Sequence, residues 1–344
     1  MNSLIPERYA FETGVYRPPS EGGSDSLLIR LTRNCPWNHC TFCGMYKTEK
    51  FQVRSVTEIK GDIDAMAALR DDLIKQSGAD GEISHQGAIA LIEKHPRLNH
   101  HQGFAMLYHW LLSGGKTVFL QDANSLIMKT DQLVEVLEYL RRIFPTIRRV
   151  TTYARSKTLV QKSLEDLKTI RQAGLDRLHV GLESGDDTVL KKIRKGATAE
   201  IHIKGGQKAL AAGFQLSEYW MPGLGGKALW EQHARNTARV LSEIDPHYIR
   251  SRPMRPWLGT PLAAEMEAGD FEMLTPTGQL RELRLTMQEL SVTGRVCFDH
   301  AGNYWRNRRG GLLFSQSYEG YPFPREKQTV LDLIDEGLTV KAGR

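Results

Sequence analysis

Six short apolar runs, each bordered by a segment of helical periodicity, constrain this chain more than any other feature. They are SLLIRLT (26–32), TVFLQ (117–121), RRVTTYA (148–154), LDRLHVGLESG (175–185), FQLSEYWMPG (214–223) and HYIRSRP (247–253). Strands separated by helices cannot pair through tight hairpins. Each return needs a crossover, which makes neighbouring strands parallel and the crossovers right-handed. The alternation allows a doubly wound sheet or a full or partial (β/α) barrel. The expectation taken forward is an α/β fold with a partial (β/α)6 TIM-like barrel over 26–255, preceded by an N-terminal lead-in at 1–25 and followed by a C-terminal α+β extension at 256–344 that caps the barrel.

The helices carry their own boundary signals. Ser55 and Glu58 have capping-box spacing, and Ile59, Ile63, Met66, Leu69 and Leu73 then fall three to four apart, predicting a helix over 56–75. A second runs from about Asp131 to Phe144, with Leu133, Leu137 and Leu140 inward and Pro145 as the stop. Gly174 and Gly213 stand where left-handed caps would close the next two helices, and residues 228–242 form another. In the extension, helices are expected at 277–291 and 326–336 and a strand at 295–298. Residues 78–115 break the alternation and read as an insertion. It carries His85, His95, His100, His101 and His109 without the spacing of a metal-binding helix.

Composition narrows the function. Lys plus Arg number 46 against 40 Asp plus Glu, a net charge of +6. That mild excess indicates no nucleic-acid footprint, and the densest run, Arg306, Arg308 and Arg309, reads as exposed charge. The N-terminal MNSLIPERYAFETG has no apolar signal core, and no run is long enough to span a membrane, so a cytoplasmic protein is expected. LLSGGKT (111–117) lacks the glycine of a phosphate loop, Trp110 standing in its place. Tyr318, Tyr321 and Phe323 are candidates for closing the barrel mouth.

Three of the four cysteines lie within CPWNHCTFC (35–43), directly after the first strand. In a reducing compartment such a group holds a metal more readily than it forms disulfides. Two readings are open. His39 could complete a zinc tetrahedron with Cys35, Cys40 and Cys43, giving a non-catalytic zinc-stabilised binding protein. Alternatively the three thiolates hold a four-iron cubane whose remaining iron stays open to an exogenous ligand. Cys297, in an apolar strand, reads as a buried, inert thiol.

The loop, with Phe42 before its last cysteine, resembles that of the radical S-adenosylmethionine (radical SAM) superfamily, with the spacing C-x4-C-x2-C in place of the usual C-x3-C-x2-C. The likeness runs through about 20–255. VFLQDANSL is similar to the family's second-strand motif, which meets the SAM amino group, and points to Asp122 and Asn124. HVGLESGDDTVLKKIRKG resembles the fourth-strand motif of the methylthiotransferase-like and cobalamin-associated branches, which places Glu183 near the ribose; the bland alternative pairs Glu183 with Lys191 or Lys192. YWMPGLGG resembles the glycine motif that meets adenine and ribose, through Gly223 and Gly225. The resemblance implies a [4Fe-4S] cluster on Cys35, Cys40 and Cys43, bound S-adenosyl-L-methionine, a reducing partner such as flavodoxin or ferredoxin, and hydrogen abstraction from an unidentified substrate. A tRNA methylthiotransferase-like activity is the alternative within the family. That branch carries a second cluster domain upstream, whereas the residues before the first strand contain no cysteine.

Overall fold

The structure, a computed structural model, describes residues 6–21, 26–47, 49–78 and 82–340. Parts of the expected lead-in (1–5 and 22–25) and of the insertion (79–81) lie outside the described residues. In chain order the elements begin with β1 (Ser26–Arg30), β2 (Thr32–Arg33), β3 (Gln52–Val53), α1 (Val56–Ser77), α2 (His85–Lys94), α3 (Gln102–Leu112), β4 (Thr117–Gln121) and α4 (Thr130–Ile143). Next come β5 (Arg149–Ala154), α5 (Ser156–Gln161), α6 (Leu164–Gln172), β6 (Arg177–Glu183), α7 (Asp187–Lys192), α8 (Ala199–Ala211), β7 (Gln215–Trp220), α9 (Gly226–Ile244) and β8 (Tyr248–Ser251). The chain continues with α10 (Pro261–Glu267), α11 (Pro276–Glu289), β9 (Arg295–Cys297), β10 (Tyr321–Pro322) and α12 (Lys327–Thr339). The fold is α/β with mostly parallel strands, as the alternation requires. The described residues form two compact units, one drawn from Met1–Pro36, Lys50–Tyr153 and Lys168–Arg177, the other from Trp37–Glu49, Ala154–Leu167 and Leu178–Arg344.

In the first unit β4 pairs in parallel with β1 and with β5, Arg30 standing opposite Gln121 and Leu120 opposite Thr152. Leu27, Leu28, Ile29, Val118, Phe119 and Leu120 are all buried, the unbroken apolar run of a strand covered on both faces. The α1 capping box forms: the Ser55 hydroxyl accepts the Glu58 N–H at 3.2 Å and the Glu58 carboxylate accepts the Ser55 N–H at 2.9 Å. Its buried stripe contains the five residues that the periodicity picks out, and Leu133, Leu137 and Leu140 of α4 are buried as expected. The insertion is helical: α2 and α3 pack on α1. Two of its histidines serve the fold, His101 capping α3 by accepting the Phe104 N–H at 2.9 Å while His95 meets the ring of Tyr9 edge-on, and His85, His100 and His109 are exposed.

In the second unit the strand order is β6-β7-β8-β9-β10, with β7, β8 and β9 parallel and β10 antiparallel on β9. Gly213, after α8, takes φ +85°, the left-handed cap that the sequence predicts. The short helices α5, α7 and α10 are additions to the expected set; each is a single turn or two, below the length at which periodicity becomes visible. Phe323 is buried, and the Tyr321 hydroxyl accepts the Ser315 N–H at 2.8 Å, so these aromatics of the extension pack within it. Arg306, Arg308 and Arg309 are exposed. No helix among the described residues is long and apolar enough to cross a membrane.

Candidate cofactor site

Parallel strands direct their C-terminal ends, and the loops that follow, to one edge of a sheet, where α/β folds place ligands. The candidate residues lie on such loops, except Glu183, which is the last residue of its strand. The structure divides them: Cys35, Asp122 and Asn124 belong to the first unit, and Cys40, Phe42, Cys43, Glu183, Gly223 and Gly225 to the second.

In the first unit, Asp122 immediately follows β4 and is buried. Its Oδ2 accepts both Arg30 Nε at 2.9 Å and Arg30 Nη2 at 2.7 Å, together with the Asn34 N–H at 3.0 Å. Oδ1 is buried with no hydrogen-bond partner among the described residues. Burial outweighs the help of Asn34 and Arg30 and raises the carboxyl above its ordinary pKa. Gly14 lies against this group; a Cβ there would fall 2.3 Å from Oδ1. The neighbouring Gln121 spends its amide on the N-terminal segment, accepting the Gly14 N–H at 2.8 Å and donating to the carbonyls of Gly14 and Tyr16. Arg30 also meets Glu12 at 2.6 Å, so a chain of alternating charge runs Glu12, Arg30, Asp122. Asn124 is buried and opens a 3-10 turn, its carbonyl accepting the Ile127 N–H at 3.2 Å.

In the second unit, the Cys43 N–H donates to the Cys40 carbonyl at 3.4 Å, closing the turn between these two thiols. Thr41 ties the loop down on two sides: its N–H donates to the Ile193 carbonyl and its carbonyl accepts the Leu262 N–H, each at 3.0 Å. Phe42 packs against the buried cluster of Val189, Leu190, Ile193, Met221, Leu224, Met254 and Leu262, which also holds the glycine turn. The three loop cysteines are half-buried and none is in a disulfide. His39, the candidate fourth zinc ligand, is exposed with its ring edge-on to Trp37.

Glu183 ends β6 with φ +65°, a left-handed conformation that turns the chain sharply. Its partner is neither Lys191 nor Lys192, both exposed, but Lys195, at 2.9 Å. Helix α7 points the two earlier lysines outward, and the Lys195 N–H closes back on the Leu190 carbonyl at 3.0 Å. Burial works against the Lys195 ammonium, but the charges of Glu183 and Cys40 outweigh it and hold its pKa above the usual lysine value. Gly181 makes room for the pair, since a Cβ there would lie 2.3 Å from Glu183 Oε1 and 3.0 Å from Lys195 Nζ. Gly223 takes φ +89°, and a Cβ on Gly225 would lie 2.9 Å from the Cβ of His233. Sequence reading alone misses Arg30, Lys195 and the buried Glu218 of β7, because each acquires its meaning from partners distant in the chain.

Among the described residues no three His, Cys, Asp or Glu side chains converge on a single metal-ion position. A cubane spreads its ligands over separate irons and needs no such point. The donors fit that group: three half-buried thiols in nine residues, with a cation, Lys195, in the field of Cys40.

Three comparisons bear on the chain. It is 27% identical over 135 residues to the heme chaperone HemW of Bacillus subtilis (strain 168), covering 39% of this chain and 35% of that protein. Among solved structures it is similar to methylornithine synthase (PylB), at 15% identity and TM-score 0.45, over 77% of this chain and 62% of the other. It is also similar to the radical S-adenosylmethionine methyltransferase TsrM from Kitasatospora setae, at 15% identity and TM-score 0.49, over 76% and 43%. The chain thus spans about a third of the length of the curated relative. Residues 29–234, well over half of the 344 and including the whole cysteine loop, match the family description "Radical SAM superfamily", and the chain belongs to that superfamily, whose members use a [4Fe-4S] cluster and S-adenosylmethionine.

Proposed function

We propose that this chain is a radical SAM enzyme in which Cys35, Cys40 and Cys43 hold the [4Fe-4S] cluster. The observation that carries this reading is the family match over 29–234, which contains the three thiols and the loops after β4, β6 and β7. When bound and reduced, by a partner such as flavodoxin or ferredoxin, the cluster supplies the electron that cleaves SAM to methionine and the 5′-deoxyadenosyl radical, which takes hydrogen from the substrate. The protein's own share is binding, orientation and exclusion of water. Lys195 offsets thiolate charge at Cys40. Phe42 would shield the cluster and lend apolar surface near the adenine. Glu183 accepts from the ribose hydroxyls. Asp122 offers Oδ1 to the SAM ammonium, and Asn124 supports that end. Gly223 and Gly225 let the backbone approach the nucleoside, which a side chain would prevent.

Anaerobic reconstitution tests the assignment. Wild type and Cys297→Ser should gain iron, sulfide and a broad absorbance near roughly 400 nm, whereas Cys35→Ala, Cys40→Ala and Cys43→Ala should lose most of all three. Reduced wild type incubated with SAM should release 5′-deoxyadenosine. A colourless wild type that holds zinc tightly, or a full iron complement after all three alanine changes, would refute the reading. Cys297 is the internal control: it is buried, its thiol is pushed up to about 12 by burial, and it donates to the Tyr318 carbonyl at 3.5 Å.

A further inference from the structure

The glycine turn after β7 is held from outside the segment that carries the family match. Residues 221–226 connect β7 to α9 with two left-handed glycines, Gly223 at φ +89° and Gly226 at φ +57°. A turn of this kind exposes backbone N–H groups, which must find acceptors where they are buried. The Leu224 and Gly226 N–H groups donate within the turn, and two further acceptors come from residues 272–282. The Gly223 N–H donates to Glu282 Oε1 at 2.9 Å, and the Lys227 N–H donates to the Glu272 carbonyl at 2.8 Å. The same Glu282 Oε1 lies 2.9 Å from His233 Nδ1 on α9, so one carboxylate oxygen ties the turn to the helix that follows it. Both side chains are only 1% exposed.

Steric fit repeats the message. A Cβ on Gly223 would fall 2.8 Å from the Gln279 amide, and one on Gly226 would fall 2.9 Å from the Glu272 carbonyl and 3.0 Å from the Phe271 ring. Gln279 and Glu282 are three apart on α11 and therefore share a face, so the helix meets the turn with two side chains at once. The Glu282 carboxylate forms an ion pair with His233 only when the imidazole is protonated; with neutral imidazole the bond still forms, through an Nδ1–H.

We infer that Glu282 is a positioning residue for SAM: it fixes the Gly223 backbone, and so the cofactor site of this chain extends past residue 234 into α11. This rests on the proposed function, because it takes the 221–226 turn as the nucleoside contact. Glu282 itself acts through the turn. Its removal leaves the Gly223 N–H and His233 Nδ1 without their acceptor, and the turn then samples conformations that cannot receive the nucleoside.

The test uses the full chain with its cluster reconstituted and SAM as the probe. Glu282→Met fills the volume without offering an acceptor, and Glu282→Gln keeps one. Glu282→Met should bind SAM about tenfold or more weakly, with iron content close to wild type and a melting temperature lowered by a few degrees because two buried donors lose their acceptor, while Glu282→Gln stays near wild type in both. Wild-type affinity in a folded, cluster-loaded Glu282→Met protein overturns the inference, and so does a loss of melting temperature with affinity unchanged. Should the methionine variant not fold, hydrogen exchange on the wild type decides. SAM must then slow exchange in peptides from 276–289 as well as 221–226, and protection confined to 221–226 rejects the role. A wild type that holds a cluster but binds no SAM defeats the functional reading itself, a result separable from any difference between variants.

Discussion

Replacing Glu218 with methionine should stabilise this protein, and by more as the pH rises. Glu218 lies on β7, is 0% exposed, and neither of its carboxyl oxygens has a hydrogen-bond partner among the described residues. Burial penalises its charged form and the nearby Glu183 adds to that penalty; Lys195 opposes them without offsetting them, so the pKa stands well above the ordinary 4.5. The sign of the pH dependence follows. At pH below the unfolded value both states carry the proton and the group contributes no pH-dependent cost. Above it the unfolded chain gains by ionising while the folded chain cannot follow, so stability falls by about 1.4 kcal/mol per pH unit until the raised folded value is reached. Across the neutral range the loss from this one residue is on the order of a few kcal/mol at most. Methionine matches the side chain's length and does not titrate, so it removes the linked loss and replaces an unpaired polar group with an apolar one. Urea unfolding of both proteins at half-unit pH steps measures the effect. The difference in unfolding free energy should be smallest near pH 5 and grow in favour of the methionine variant toward pH 7.5, with equal denaturant slopes. Parallel pH curves, or a methionine variant that is the less stable at pH 7.5, would show that Glu218 ionises freely and that the burial argument fails.

Two other changes probe the charge pairs. Lys195→Met leaves Glu183 without its cation in a site where the two side chains are 12% and 14% exposed, and should cost roughly 3 kcal/mol, whereas adding Glu183→Gln should recover part of that loss in the same urea assay. Equal losses in the single and double variants would mean that Glu183 left without its cation carries no penalty. Gly14→Val forces a side chain onto Asp122 Oδ1 and should lower the melting temperature by several degrees; an unchanged melting curve would show that the 11–16 segment moves aside without cost.

What the sequence discloses and what it hides divide along sequence distance. The capping box at Ser55 and Glu58, the stripe from Ile59 to Leu73 and the left-handed caps at Gly174 and Gly213 are local signals, each written within a few residues, and each appears in the structure. Glu183 illustrates the limit. Its position is legible from the motif, but its partner is not, because choosing among Lys191, Lys192 and Lys195 requires the exact end of α7. Glu218 sits beside Ser217 in SEYW, in a strand whose burial only tertiary structure reveals. Glu282 lies 59 residues from Gly223, and no periodicity links a helix in the extension to a turn after β7.

The two carboxylates proposed to meet SAM share a design that bears on affinity. Asp122 is held by Arg30 and Glu183 by Lys195, each within its own unit and each before any ligand arrives. A ligand ammonium or hydroxyl therefore meets a carboxylate whose charge is already largely neutralised, and it gains little from forming a fresh ion pair. What each site offers instead is a fixed acceptor. Asp122 Oδ2 is occupied three times while Oδ1 has no partner among the described residues, so the group can accept a donor through one oxygen without surrendering Arg30. Orientation costs are met during folding, which is the contribution such a site makes when the cofactor itself supplies the difficult chemistry. On this argument Arg30→Met harms SAM binding more than the loss of one distant cation would, because it frees Asp122 to rotate and raises the cost of keeping it charged.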